Sequence, residues 1–111
     1  MELKVAPGHT SKNLASEIEY STGSVVSKQL IKKKAGNITL FAFDKGEGLS
    51  EHTAPFDALV QILDGKALIR LDKNNHHLDA GDFIILPAGT PHALTATEKF
   101  KMMLVMIRSE E

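Results

Sequence analysis

The chain has 111 residues, of which 42% are hydrophobic, and its 13 Lys and Arg nearly balance its 14 Asp and Glu. A formal net charge of -1 excludes the basic footprint of a nucleic-acid-binding protein. The absence of cysteine excludes a disulfide scaffold, a thiolate metal site and a cysteine nucleophile. No apolar run approaches signal-peptide or membrane-span length, so we expect a single cytoplasmic domain, residues 1–111, without a membrane or nucleic-acid partner.

Residues 1–23 are the least regular part of the sequence, and we expect a short irregular or helical N-terminal segment there. Leu14 and Ile18 would share one face of a helix of one or two turns. Residues 17–20 are equally consistent with a first strand that ends at the turn-forming residues after Tyr20.

Beyond residue 23, short apolar or β-branched runs alternate with turns rich in Gly, Pro and Asn. The predicted strands cover residues 25–34, 38–44, 57–63, 66–72, 76–80, 83–86, 92–97 and 101–107. No helical period of useful length follows residue 20. This rhythm predicts an all-β fold, an antiparallel sandwich or barrel.

Three local patterns make this prediction more specific. The lysines near the end of 25–34 indicate a solvent-facing or edge strand, because charge discourages edge-to-edge pairing with another molecule. Asp64 and Gly65, between two extended runs, predict a hairpin turn. In the strand after this turn, alternation places Ala67, Ile69 and Leu71 on one face.

The stretch 81–92 predicts a buried strand at residues 83–86, a tight turn bounded by two prolines, and a histidine placed at the start of the next strand. On that next strand, alternation puts His92, Leu94 and Ala96 on one face.

The last strand, 101–107, carries six consecutive apolar residues and therefore leaves neither face for water. One barrel has one interior, so we expect a homodimer that buries the surplus apolar face. The methionines of this strand, Met102, Met103 and Met106, are interpreted as core or interface filler.

Two spacings in the sequence resemble the motifs of the cupin family. Gly81 is followed by five residues and Pro87, then by four residues and His92. Earlier in the chain, Gly46 is followed by five residues and His52. Gly65 closes this first motif in register. The resemblance covers about residues 38–107 and implies a double-stranded β-helix, the jelly-roll barrel, at residues 24–107.

In cupins that bind metal, two His and a Glu of the first motif and a His of the second hold one ion inside the barrel. The resemblance carries over only His52 and His92, because Ala54 and Ala58 stand where the second His and the Glu would be. Asp57, beside the vacant Glu position, is a candidate third ligand. A divalent ion (Zn, Fe, Mn or Ni) on these residues is the cofactor that the resemblance implies.

The alternation of side chains along each strand predicts an apolar pocket around the two histidines. Its expected lining consists of Ala54, Ala58, Val60, Ile62, Leu94 and Ala96. Two functions remain open, a small cupin that binds a small molecule through a weakly held metal, and a metal-free ligand-binding or sensor module. The sequence identifies no catalytic residue and leaves open whether the protein is an enzyme.

Overall fold

The computed structural model describes residues 11–108, which form eight strands and one short 3-10 helix. The 3-10 helix spans Leu14–Ser16, and the strands are β1 (Val25–Lys33), β2 (Gly36–Phe43), β3 (Gly48–His52), β4 (Phe56–Leu71), β5 (Asn74–Asp79), β6 (Phe83–Leu86), β7 (His92–Thr95) and β8 (Phe100–Arg108). All pairings are antiparallel. The predicted all-β jelly-roll fold is confirmed.

The strands form one curled sheet in the order β1-β2-β8-β4-β7-β3, and both β5 and β6 also pair with β4. The first half of β4 pairs with β6 and β8, whereas its second half pairs with β5 and β7. Strand β4 therefore belongs to both layers of the barrel. β1 is exposed along the sheet edge and pairs with β2, as predicted for an edge strand.

The hairpin predicted at Asp64 and Gly65 is wrong. β4 runs unbroken through these residues for 16 residues, and its register against β8 shifts between Ile62 and Asp64. Gly65, at φ +80°, supplies a bend that carries the strand from one layer to the other. The two halves of β4 do not pair with each other because each already has two other partners.

The core lies between the two layers and is contributed by alternate residues of the strands. Its fully buried large side chains include Phe43 and Phe100, which stack with their ring centroids 4.5 Å apart. Ala67 and Ile69 are buried and Leu71 packs against the same cluster. The predicted alternation on β4 is confirmed.

A second, smaller cluster covers part of the outer face of the sheet. Ile18, Leu40 and Ala42 are buried there, and Leu14 packs against them. Leu14 and Ile18 therefore do share one face, although the helix is a single 3-10 turn and residues 17–20 form no strand. Within residues 11–108 no helix has the length and apolarity that a membrane crossing demands.

The buried strand predicted at residues 83–86 is only half buried. Leu86 is buried, whereas Phe83 and Ile85 are 62% and 46% exposed on the outer face. Ile107, on β8, is 60% exposed on the same face. The N-terminal segment covers a different part of this face, and nothing among the described residues covers these three side chains.

Candidate functional site

His52 and His92 lie directly opposite each other on two neighbouring strands. His52 is the last residue of β3 and His92 the first of β7, and the two are Cα partners in the ladder. The Nε2 atoms are 3.2 Å apart and the rings meet edge to face at 66°. His92 is 8% exposed, whereas His52 is more open to solvent at the cavity mouth.

Backbone carbonyls determine which nitrogen of each ring carries the proton. His52 Nδ1 lies 2.8 Å from the carbonyl oxygen of Ser50, and His92 Nδ1 lies 3.1 Å from that of Thr90. A carbonyl oxygen only accepts, so each ring donates from Nδ1 and leaves a lone pair on Nε2. The two lone pairs then face each other and require a proton or a metal cation between them.

This arrangement is the one found around metal-bound histidines, whose other ring nitrogen usually donates to a carbonyl or carboxylate. Two imidazole nitrogens bound to one tetrahedral ion at about 2.0–2.1 Å lie about 3.3 Å apart. The 3.2 Å between the two Nε2 atoms is close to that separation. Both the ring tautomers and the distance between the two Nε2 atoms are therefore suitable for binding one metal ion.

The two rings border a cavity of about 60 Å³ inside the barrel. Its other lining residues are apolar: Leu49, Ala54, Phe56, Ala58, Val60, Leu86, Leu94, Met102, Leu104 and Met106. This volume is large enough for a few water molecules, since about 10–15 Å³ is the least that a single water needs. The enclosed part of the site accepts an ion with a few waters, or a group of a few heavy atoms.

The structure places four of the six expected pocket residues, Ala54, Ala58, Val60 and Leu94, around this cavity. Ile62 and Ala96 are instead buried in the packed core, further from the two rings. The sequence reasoning missed six lining residues, and three of them, Met102, Leu104 and Met106, come from alternate positions of β8. The alternation of side chains along β8 would predict these three residues together, but the sequence does not say which face of β8 is the inner one.

Asp57 does not reach the cavity. Its carboxylate accepts a hydrogen bond from the backbone N–H of Ala88 at 2.9 Å, and it lies beside an outer groove. Alternation explains this position, because Ala58 next to it faces inward. Glu51, beside His52, is likewise engaged on the surface, in an ion pair of 2.7 Å with Arg70.

A metal site of the usual divalent kind is therefore incomplete. Across residues 11–108, no group of three or more His, Cys, Asp and Glu side chains could hold an ion. The lining of the cavity offers two imidazoles as nitrogen donors and no carboxylate. His76 and His77 are exposed on β5 and border a separate open depression.

The family profile named Cupin domain matches residues 39–108 of this chain. This protein belongs to the cupin family. The match includes both histidines of the cavity and seven of the eight strands in part or in full. The predicted family is thus confirmed.

Solved structures of other cupins support this assignment. A conserved protein of unknown function from Streptococcus pyogenes is 35% identical, with a TM-score of 0.88 over 98% of this chain and 93% of that one. A cupin superfamily protein from Desulfitobacterium hafniense is 33% identical, with a TM-score of 0.87 over 98% and 100%. A cupin 2 conserved barrel domain protein from Leptotrichia buccalis is 43% identical, with a TM-score of 0.85 over 87% of this chain and 47% of that one. Comparison with functionally curated proteins gave no match.

Proposed function

We propose that this cupin binds a metal ion between His52 and His92 and, through that ion, a small molecule in the barrel. The observation that carries the proposal is the pair of Nε2 lone pairs held 3.2 Å apart by two backbone carbonyls. Among residues 11–108, only the two imidazoles bring side-chain nitrogens to the cavity, so further donors, such as water or the small molecule, would complete the coordination. The ion is therefore held weakly and keeps exchangeable positions.

The lining and volume of the cavity support one class of ligand. An oxygen or nitrogen donor on the ligand would bind the ion, which when bound acts as a Lewis acid toward that donor. The apolar walls, including Phe56 and Leu104, favour a hydrocarbon body next to the donor. Because the enclosed volume is about 60 Å³, a larger ligand must extend through the mouth beside His52.

The second candidate is a ligand-binding or sensor module without metal. It is favoured by the lack of a His, Cys, Asp or Glu third ligand among the described residues and by Ala54 and Ala58 at the two vacant ligand positions. In this case the Nε2 lone pair of one imidazole would accept a hydrogen bond directly from a polar group on a small, otherwise apolar ligand. The two functions differ in whether binding requires an added metal.

Metal analysis of protein purified without chelator, followed by calorimetric metal titration, tests the proposal. The variants His52→Ala and His92→Ala should lose binding, while the matched surface variant His77→Ala should bind like the wild type. Acidification should weaken binding, because protonated imidazole cannot coordinate. Wild-type protein that binds no metal under any of these conditions would favour the module without metal. Equal metal binding by all three variants would contradict a site at this pair.

We also propose that the protein is a homodimer in which a second copy covers an outer patch of Leu59, Ile85, Val105 and Ile107. These side chains border an apolar groove of about 200 Å³ on the outer face of the sheet. Ile85 and Ile107 are 46% and 60% exposed in the single chain. An isologous interface would pair the patch with itself and remove both side chains from water.

A further inference from the structure

We propose that the ion held by His52 and His92 is monovalent copper and that the thioether sulfur of Met106 is its third protein ligand. This inference rests on the metal site proposed above and specifies its chemistry. It starts from the two methionines that border the cavity together with both imidazoles, Met102 and Met106. A thioether is a donor that the usual cupin ligand set of His and Glu does not contain.

The register of the sheet singles out Met106. It is the direct cross-strand partner of Ala58, the position at which a metal-binding cupin carries its Glu. Directly opposed residues of an antiparallel pair have Cβ atoms about 4.5–5.5 Å apart. The long side chain of Met106 thus starts beside the place that the lost carboxylate would occupy. Met102 pairs with Ile62, further along the barrel and away from that position.

The donor types favour a soft ion. Thioethers select copper(I), and imidazole binds copper well, whereas hard divalent ions prefer carboxylate, carbonyl and water oxygens. The carboxylates nearest in sequence to the site, Glu51 and Asp57, are engaged with Arg70 and with the Ala88 backbone on the outside of the barrel. The remaining set of two imidazoles and one thioether is neutral.

The cost of burying the charge of the ion also favours monovalent copper. A neutral ligand set leaves the full charge of the ion inside a cavity whose walls are almost entirely apolar. The electrostatic cost of burying an ion grows with the square of its charge, so a divalent ion costs roughly four times as much as a monovalent one. His92 and Met102 are 8% and 1% exposed, so water offsets little of this cost on the inner side of the site.

Anaerobic titration with copper(I) and, separately, with zinc(II), each against a competing chelator, tests the inference. Wild-type protein should bind copper(I) more tightly than zinc(II). Met106→Leu keeps the side-chain volume nearly constant. It should weaken copper(I) binding by about tenfold or more because a ligand is lost, and should leave zinc(II) affinity unchanged. X-ray absorption of the copper-loaded protein should show a sulfur neighbour in the wild type and none in this variant.

Met103→Leu is the matched control, since Met103 lies on the same strand but packs in the outer cluster. It should bind both ions like the wild type. A sulfur neighbour that persists in Met106→Leu and disappears in Met102→Leu would overturn the assignment of Met106. Zinc(II) binding as tight as copper(I), unchanged by Met106→Leu but lost in His92→Ala, would overturn the inference and leave the proposed metal site standing. Copper(I) binding that survives His52→Ala and His92→Ala would overturn both.

Discussion

Gly65 lies against the backbone carbonyl of Lys99, so closely that a Cβ on Gly65 would overlap the carbonyl oxygen. Its backbone also has φ +80°, a region that residues with a Cβ rarely adopt. Both requirements arise where β4 passes from one layer of the barrel to the other and β8 begins beside it. Glycine is the residue that meets them together.

Gly65→Ala should therefore lower the free energy of unfolding by about 3 kcal/mol, since left-handed strain costs about 1–2 kcal/mol and overpacking a similar amount. The matched control is Gly89→Ala, at φ +79° with no atom within 4 Å of the added Cβ. It should cost only the strain, about 1–2 kcal/mol. Urea unfolding of both variants measures the difference, and equal losses would show that the approach to Lys99 contributes nothing.

Asp57→Ala should leave metal affinity unchanged, because the carboxylate lies outside the barrel and accepts the hydrogen bond from Ala88 N. It should lower the free energy of unfolding by about 1 kcal/mol, the usual net value of one hydrogen bond. Asp57→Asn keeps an acceptor oxygen and should recover most of this loss. Calorimetry and urea unfolding check the two effects, and lost metal binding in Asp57→Ala would make Asp57 a ligand after all.

The acid stability of the protein should depend in part on Asp44. Hydrogen bonds from the backbone N–H groups of Gly23 and Lys45 lower the pKa of this carboxyl in the folded state. A lowered pKa stabilises the fold above the unfolded-state value of about 4, and this contribution disappears as pH falls through the folded-state value. Asp44→Asn should thus be less stable than wild type at neutral pH.

The stability difference between wild type and Asp44→Asn should narrow as pH falls below about 4. Chemical unfolding at a series of pH values measures it. A difference that stays constant down to the acid transition would mean that the carboxylate charge plays no part in holding the turn before β1.

Ile107→Lys should convert the proposed dimer into a monomer. A buried charge within the outer patch should cost about 2 kcal/mol or more of association free energy, roughly 30-fold in Kd. Leu30→Lys, a change at an exposed apolar residue of β1 outside the patch, is the control and should leave association unchanged. Sedimentation velocity at micromolar concentrations shows whether each variant is a monomer or a dimer. Wild-type protein that sediments as a monomer would contradict the proposed dimer.

Local patterns in the sequence predicted much of the barrel. Alternation placed Ala67 and Ile69 on β4, and His92 and Leu94 on β7, on the buried face, and all four are buried. This succeeds because successive side chains of a strand point to opposite faces whatever the strand pairs with. The dipeptide of Asp64 and Gly65 alone could not distinguish a hairpin turn from a bend within one strand. The difference depends on which strands pair with each other.

The sequence by itself determined the two histidines, their motif spacing and the loss of two cupin ligands to Ala54 and Ala58. Only the tertiary structure decided what surrounds them. The carbonyls of Ser50 and Thr90 select the ring tautomers, and β8 brings Met106 opposite Ala58 although 48 positions separate them in the chain. Strand pairing between distant segments sets both the lining of the cavity and the outer apolar patch, because local propensity carries no information about which strand lies next to which.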